Sequence, residues 1–180
     1  MANEGASATV APCIMKLEVL HRDQNQAIGI YGEVYLVVRW DVFATADLVY
    51  HRSALAKLQE RNPGGIAFLQ VNRFGSSRRI AMDDGAQAAM MEIVRTFGTA
   101  VCIVAVVLPN EPFEAASLRS MLSRMALSSR LRLDVRVLND MVQAVNEVTE
   151  KLTASGLSSI RPADLLAALS ELELLRPPAR

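Results

Sequence analysis

Ile66-Ala-Phe-Leu-Gln-Val71 empties into Asn72-Arg-Phe-Gly-Ser-Ser-Arg-Arg79, and a pattern of helical period begins after Asp83-Asp84. The apolar run is too short for a helix, and Asn62-Pro63-Gly64-Gly65 breaks the chain just before it. It therefore reads as a buried strand. A strand that feeds a polar loop and then a helix is half of a β-α-β unit, from which parallel sheets are built. Open sheets of that kind keep their working residues just past the carboxyl ends of the strands. At that position this chain carries Arg73, Gly75, Ser76, Ser77, Arg78 and Arg79, and no carboxylate, histidine or cysteine before Asp83.

The alternation continues downstream. Ala86, Ala89, Met90, Ile93, Val94 and Phe97 recur at helical spacing from a start at Asp83-Asp84, and Gly98 supplies a C-terminal cap. Ala100–Leu108 is apolar throughout, as expected of a central strand covered on both faces. Pro112 occupies a first helical position, and Phe113, Ala116, Met121 and Met125 form the expected inner side of that helix. Leu131-Arg-Leu-Asp-Val-Arg-Val137 alternates, which predicts a half-exposed strand near a sheet edge. Asn139-Asp140 then caps a helix carrying Met141, Val142, Val145, Val148 and Leu152.

Upstream, Thr45 or Asp47 caps a helix that runs to Arg61 with Leu48, Leu55 and Leu58 on its inner face. Before it, Val34-Tyr-Leu-Val-Val-Arg-Trp40 is a strand, and Ile14–Leu20 and Ala27–Tyr31 lie close enough to pair with it as hairpins. The fold class is α/β, with a mixed, largely parallel sheet, an N-terminal hairpin and flanking helices. Residues 1–12 read as a flexible tail, 13–153 as the α/β domain, and 154–180 as a linker and a C-terminal amphipathic helix that starts at Pro162. That helix is dense in leucine. It either covers a face of its own sheet or meets a partner, in which case Leu165, Leu169 and Leu172 are the contact residues.

Composition narrows the function classes. The chain has 19 basic and 19 acidic residues, which removes the electrostatic reason to expect nonspecific nucleic-acid binding. Cys13 and Cys102 are too few for a disulfide framework or a zinc site. His21 and His51 have no ligand spacing, and each reads as a lone surface histidine. No metal or cofactor is expected. The N-terminus lacks the charged start and apolar core of a signal peptide, and no run approaches the ~18 apolar residues of a membrane helix. The expectation is a cytoplasmic protein of bacterial style with no membrane span.

The order of hairpin, helix and strand three times, then helix, resembles the STAS-like proteins. Val37-Val-Arg-Trp40 enters the first helix, Asn62-Pro-Gly-Gly65 leaves it, and Phe113-Glu-Ala-Ala-Ser-Leu-Arg119 is similar to the start of the family's third helix. The superfamily includes bacterial anti-sigma-factor antagonists and sulfate-transporter C-terminal domains, and the pattern also looks like small proteins related to the CRAL-TRIO lipid-binding fold. The resemblance spans residues 27–153. It implies a regulatory binding module rather than an enzyme. In the antagonists a serine after the buried strand is phosphorylated within an Asp-Ser-x-Gly motif. Here Ser76 and Ser77 take that place, without the Asp-Ser pair and with Gly75 ahead of them.

Several residues invite a sharper chemistry. Arg73, Gly75, Ser76, Ser77, Arg78 and Arg79 offer close backbone approach, hydroxyl donors and forked cations, a set that suits an anion or a phosphorylated serine. The same residues also make an ordinary solvated loop, and no phosphate-loop spacing is present. Asp83-Asp84 are adjacent on a helix, so they point apart and read as an N-cap rather than a metal pair. Several serines lie between Ser117 and Ser129 with no histidine near them in sequence and no nucleophile elbow, so no catalytic residue is assigned. Of the eight methionines, Met82, Met90, Met91, Met121, Met125 and Met141 fall on expected helices. They pack a core or line an apolar ligand pocket, which Phe97 and Trp40 would wall. The sequence thus points first to protein–protein binding, with another chain or in a homodimer, and second to a small apolar ligand or lipid.

Overall fold

The computed structural model describes residues 15–41, 47–73, 84–108, 112–129, 132–158 and 160–177. Strands β1 (Glu18–Arg22), β2 (Gln26–Tyr31) and β3 (Val34–Arg39) come first. Helices and strands then alternate: α1 (Asp47–Arg61), β4 (Ile66–Asn72), α2 (Asp84–Phe97), β5 (Val101–Val107), α3 (Pro112–Ser129), β6 (Val135–Leu138) and α4 (Met141–Ala154). Helix α5 (Pro162–Leu174) closes the described chain. The six strands lie side by side in sequence order, β1-β2-β3-β4-β5-β6. The first two pairings are antiparallel and the remaining three parallel.

That order dictates how the helices distribute. Three crossovers step the same way along the sheet, and right-handedness puts all three helices on one face. Accordingly α1 and α2 pack on Ile28, Tyr35, Val37 and Ile66, while Met121 and Leu122 of α3 pack on Val106, Leu108 and Val137. The opposite face keeps Ala27, Leu36, Val38, Leu69, Val71, Ala105 and Val107, and among the described helices α4 and α5 remain to cover it. Val145, Val148 and Leu152 of α4 and Leu165, Leu169 and Leu172 of α5 do so. The leucine density of α5 is the sheet's own requirement. Leu165, Leu169 and Leu172 are fully buried against it, and the reading of them as partner contacts is corrected.

Local signals account for the element ends. The β2–β3 connection is the two-residue turn Gly32-Glu33, in which Gly32 takes φ +58°, a conformation that favours glycine. Asp140 caps α4 by accepting from the Gln143 backbone N–H at 2.7 Å. Pro162 opens α5 at a position where its missing N–H costs nothing.

Four details depart from the sequence reading. Strand β1 starts at Glu18 rather than Ile14, and a bulge between Val19 and His21 shifts its register. Strand β5 lies next to the short edge strand β6 rather than at the centre, so Val101, Cys102 and Val104 are only half-buried. Ala116, expected on the inner side of α3, is exposed, and so is Val142 of α4. Trp40 and Phe97 belong to the cores on opposite faces of the sheet, and so cannot wall one pocket.

Candidate functional site

The polar interior of this protein is concentrated at one end of the sheet. Gln26 pairs with Arg39, and Arg39 with Asn72, so three polar residues stand in one row at the carboxyl ends of β3 and β4. Residues directly opposite in register share a face, and here it is the face covered by α1 and α2. Gln70 lies two residues earlier on the same face. His51 reaches in from α1. Gln26, Arg39, His51, Gln70 and Asn72 are all buried.

These groups are held by one another. The Arg39 Nη2 donates to Gln26 Oε1 at 2.6 Å. His51 Nε2 lies 3.2 Å from the same oxygen and 3.3 Å from Arg39 Nη2. His51 Nδ1 is 2.8 Å from the hydroxyl of Tyr35. With its hydrogen on Nε2, the imidazole donates to Gln26, and Tyr35 donates to the bare Nδ1. That tautomer gives both the ring and the phenol a partner for each proton. Burial holds the His51 pKa down at about 3, with Arg39 and then His21 adding to the effect, so the ring is neutral near pH 7. Burial also holds the Tyr35 hydroxyl well above its ordinary value. Arg39 and His51 make further polar interactions beyond these. The Gln26 Nε2 is buried with no hydrogen-bond partner. Beside the cluster, Gln70 Nε2 donates to Asn72 Oδ1 at 2.7 Å, and Asn72 Nδ2 donates to the Val107 carbonyl at 3.0 Å.

A second histidine sits on the flank. His21 of β1 stacks on Tyr50 of α1 with ring centroids 3.8 Å apart, and its Nε2 is 2.9 Å from Asp23 Oδ2. Asp23 Oδ1 accepts from the backbone N–H groups of Asn25 and Gln26. Desolvation opposes ionisation of this carboxyl, but the hydrogen bonds from His21, Asn25 and Gln26 prevail and lower its pKa. The carboxylate shapes the β1–β2 turn and orients the imidazole.

Both histidines therefore correct the sequence reading. His51 is not at the surface but in the core, and His21 is largely covered by Tyr50. The signal for His51 was present: with Leu48, Leu55 and Leu58 it lies on the apolar stripe of α1. Arg39 likewise shares the alternation of Tyr35 and Val37 along β3.

Of the serine–arginine stretch, only Arg73 lies within the described residues; Gly75, Ser76, Ser77, Arg78 and Arg79 lie outside them. Arg73 follows Asn72, so its side chain turns to the opposite face. There its Nε meets Glu173 Oε1 of α5 at 2.7 Å and its Nη2 meets Oε2 at 3.1 Å. The Nη2 also lies 3.7 Å from the Met141 sulfur. Arg73 thus ties the end of β4 to α5 and α4. Met125 is buried, and Met90, Met91, Met121 and Met141 are half-buried.

Among the described residues, no group of three or more His, Cys, Asp or Glu side chains is placed to hold a metal ion. No helix among them is long and apolar enough to cross a membrane. No family model matches the sequence, and no curated protein or solved structure matches it either.

Proposed function

We propose that this protein is a non-catalytic regulatory or scaffold domain that acts by binding another protein, and that Gly75, Ser76, Ser77, Arg78 and Arg79 form its contact surface. The observation that carries this reading is how the polar groups at the carboxyl rim are used. Gln26, Arg39 and His51 are buried and bonded to one another, and beside them buried Gln70 is bonded to buried Asn72. A catalytic constellation needs its acid, base or nucleophile facing a space where a substrate can sit.

The topology supports the same view. Ligand crevices of open α/β sheets form where the strand order reverses, and the parallel strands here run β3-β4-β5-β6 without reversal. The STAS-like resemblance adds the expectation of a regulatory partner and of a switchable serine at Ser76 or Ser77.

The test is reconstitution. A protein captured from the source cells is purified, remixed with this chain, and titrated at micromolar concentration. Replacing Arg78 and Arg79 together by alanine is expected to weaken that complex at least tenfold while the circular dichroism spectrum stays unchanged. A chain that remains monomeric and re-forms no complex from purified components overturns the proposal. Intact-mass measurement on protein from its native cell decides the serine switch, which falls if no phosphate appears in any growth state.

A further inference from the structure

We propose that the outer edge of β6 is a dimer interface, on which a second copy of this chain lays its own β6 antiparallel, with the two-fold axis at Val135. Strand β6 ends the sheet order, so no described strand pairs with that edge. Hydrogen bonds on the β5 side decide which backbone groups look outward. The Asp134 and Leu138 carbonyls accept from the N–H groups of Val104 and Leu108, both at 2.8 Å. Backbone groups alternate sides along a strand, so Val135 and Val137 turn their N–H and C=O groups away from the sheet. Arg119 of α3 marks the same direction, since its Nη2 donates to the Val137 carbonyl at 2.8 Å. That carbonyl keeps a second lone pair for an incoming N–H. The opposite edge, β1, is interrupted by a bulge between Val19 and His21, a distortion that hinders pairing with another chain.

Charge complementarity selects the second copy as occupant and fixes its register. With Val135 opposite its own counterpart, Leu133 stands opposite the second copy's Val137, so outward-facing backbone groups meet outward-facing ones. Asp134 then stands opposite the second copy's Arg136, and symmetry repeats the pair. These are non-hydrogen-bonded positions, where side chains across an antiparallel pair come closest. Sliding the second copy by two residues in one direction sets Asp134 against Asp134 and Arg132 against Arg136. Sliding it in the other direction sets Arg136 against Arg136. Like charges directly opposite each other destabilise a strand pair, so one register is favoured over its neighbours.

The two faces of the edge suit the same arrangement. On the α4 face, Asp134 meets Arg136 Nε at 2.7 Å and Lys151 Nζ at 3.1 Å, and the Arg136 side chain is 53% exposed. It can turn to a second carboxylate without leaving a buried site. On the α3 face, half-buried Val135 packs beside Val137, Met121 and Leu122, and its counterpart would extend that small apolar cluster across the axis.

Sedimentation velocity of the full chain over a concentration series tests the proposal. A reversible dimer with a micromolar dissociation constant is expected. Arg136→Asp sets carboxylates opposite Asp134 and should weaken the dimer about tenfold. Adding Asp134→Arg to that variant exchanges the signs, restores the complementarity and should recover the dimer. A wild type that stays monomeric at ~100 µM overturns the proposal. So does a dimer that Arg136→Asp leaves intact, or one that the exchanged pair, folded by circular dichroism, fails to recover. Should the exchanged pair not fold, hydrogen exchange of the wild type decides instead. Val135 and Val137 amides that slow as concentration rises support the β6 edge, and unchanged rates overturn it.

Discussion

Helix α5 offers a comparison in which two leucines, two residues apart, should give opposite results. Leu172 is fully buried in the core formed with β2 and β3, whereas Leu174 is 85% exposed. Truncating Leu172 to alanine removes buried methyl groups and leaves a void. A Cβ built on Gly29 would lie 3.4 Å from Leu172 Cδ1, so part of that void opens over a residue with no side chain to fill it. The collapse that softens many such substitutions is restricted here, and the cost should reach about 3 kcal/mol or more, within the usual range for buried Leu→Ala. Leu174→Ala should change stability by less than about 0.5 kcal/mol. Urea unfolding followed by the fluorescence of Trp40, the chain's one tryptophan, reads both, because Trp40 belongs to the same core. A shift of midpoint without a change of slope is expected. A loss below about 1 kcal/mol for Leu172→Ala would refute the assignment of α5 to the core and return its leucines to the role of partner contacts.

Three further outcomes follow from single contacts. Gly65 takes φ +142° with Leu157 Cδ1 3.0 Å from where a Cβ would stand, so Gly65→Ala should cost on the order of 1–3 kcal/mol in thermal or urea unfolding. Arg73→Ala removes a two-point ion pair to Glu173 that is about one-third exposed, and the loss should stay at or below about 1 kcal/mol because water screens it. Asp134 is held below its ordinary pKa by its hydrogen bond to Arg136, with Lys151 adding to it, against the cost of burial. Its contribution is therefore present above the unfolded carboxylate range and lost as pH falls through it, and Asp134→Asn should flatten that acid limb in urea midpoints measured from pH 6 to pH 3.

Much of the architecture was readable because independent local signals agreed. Asn62-Pro63-Gly64 closes α1 and the apolar run after it forms β4, so the boundary is marked from both sides. Where only one signal existed, the reading slipped. Periodicity alone put Ala116 inside α3, yet α3 covers a narrow end of the sheet beside β6 and presses on it with Met121 and Leu122. The polar cluster was hidden for a different reason. Gln26, Tyr35, Arg39 and His51 are spread over three separate elements, and only the register that sets Gln26 beside Arg39 brings them together. Hydropathy favours the surface for each of them. Their burial depends on mutual hydrogen bonds, which no local window contains.

The two arginines at the rim show how strand geometry partitions charge. Arg39 and Arg73 are backbone neighbours, with the Arg73 N–H donating to the Arg39 carbonyl at 2.7 Å. Arg39 ends β3 and Arg73 follows the last residue of β4, yet they are out of phase by one residue, because Arg39 pairs with Asn72 rather than with Arg73. Their side chains consequently leave on opposite faces. Arg39 enters the cluster under α1, and Arg73 crosses to Glu173 on α5. Drawing Arg73 toward an incoming anion would break its ion pair with Glu173 and loosen the end of α5. Substituting Arg73 would therefore mix any loss of binding with a loss of stability, which is why the binding test proposed above substitutes Arg78 and Arg79 instead.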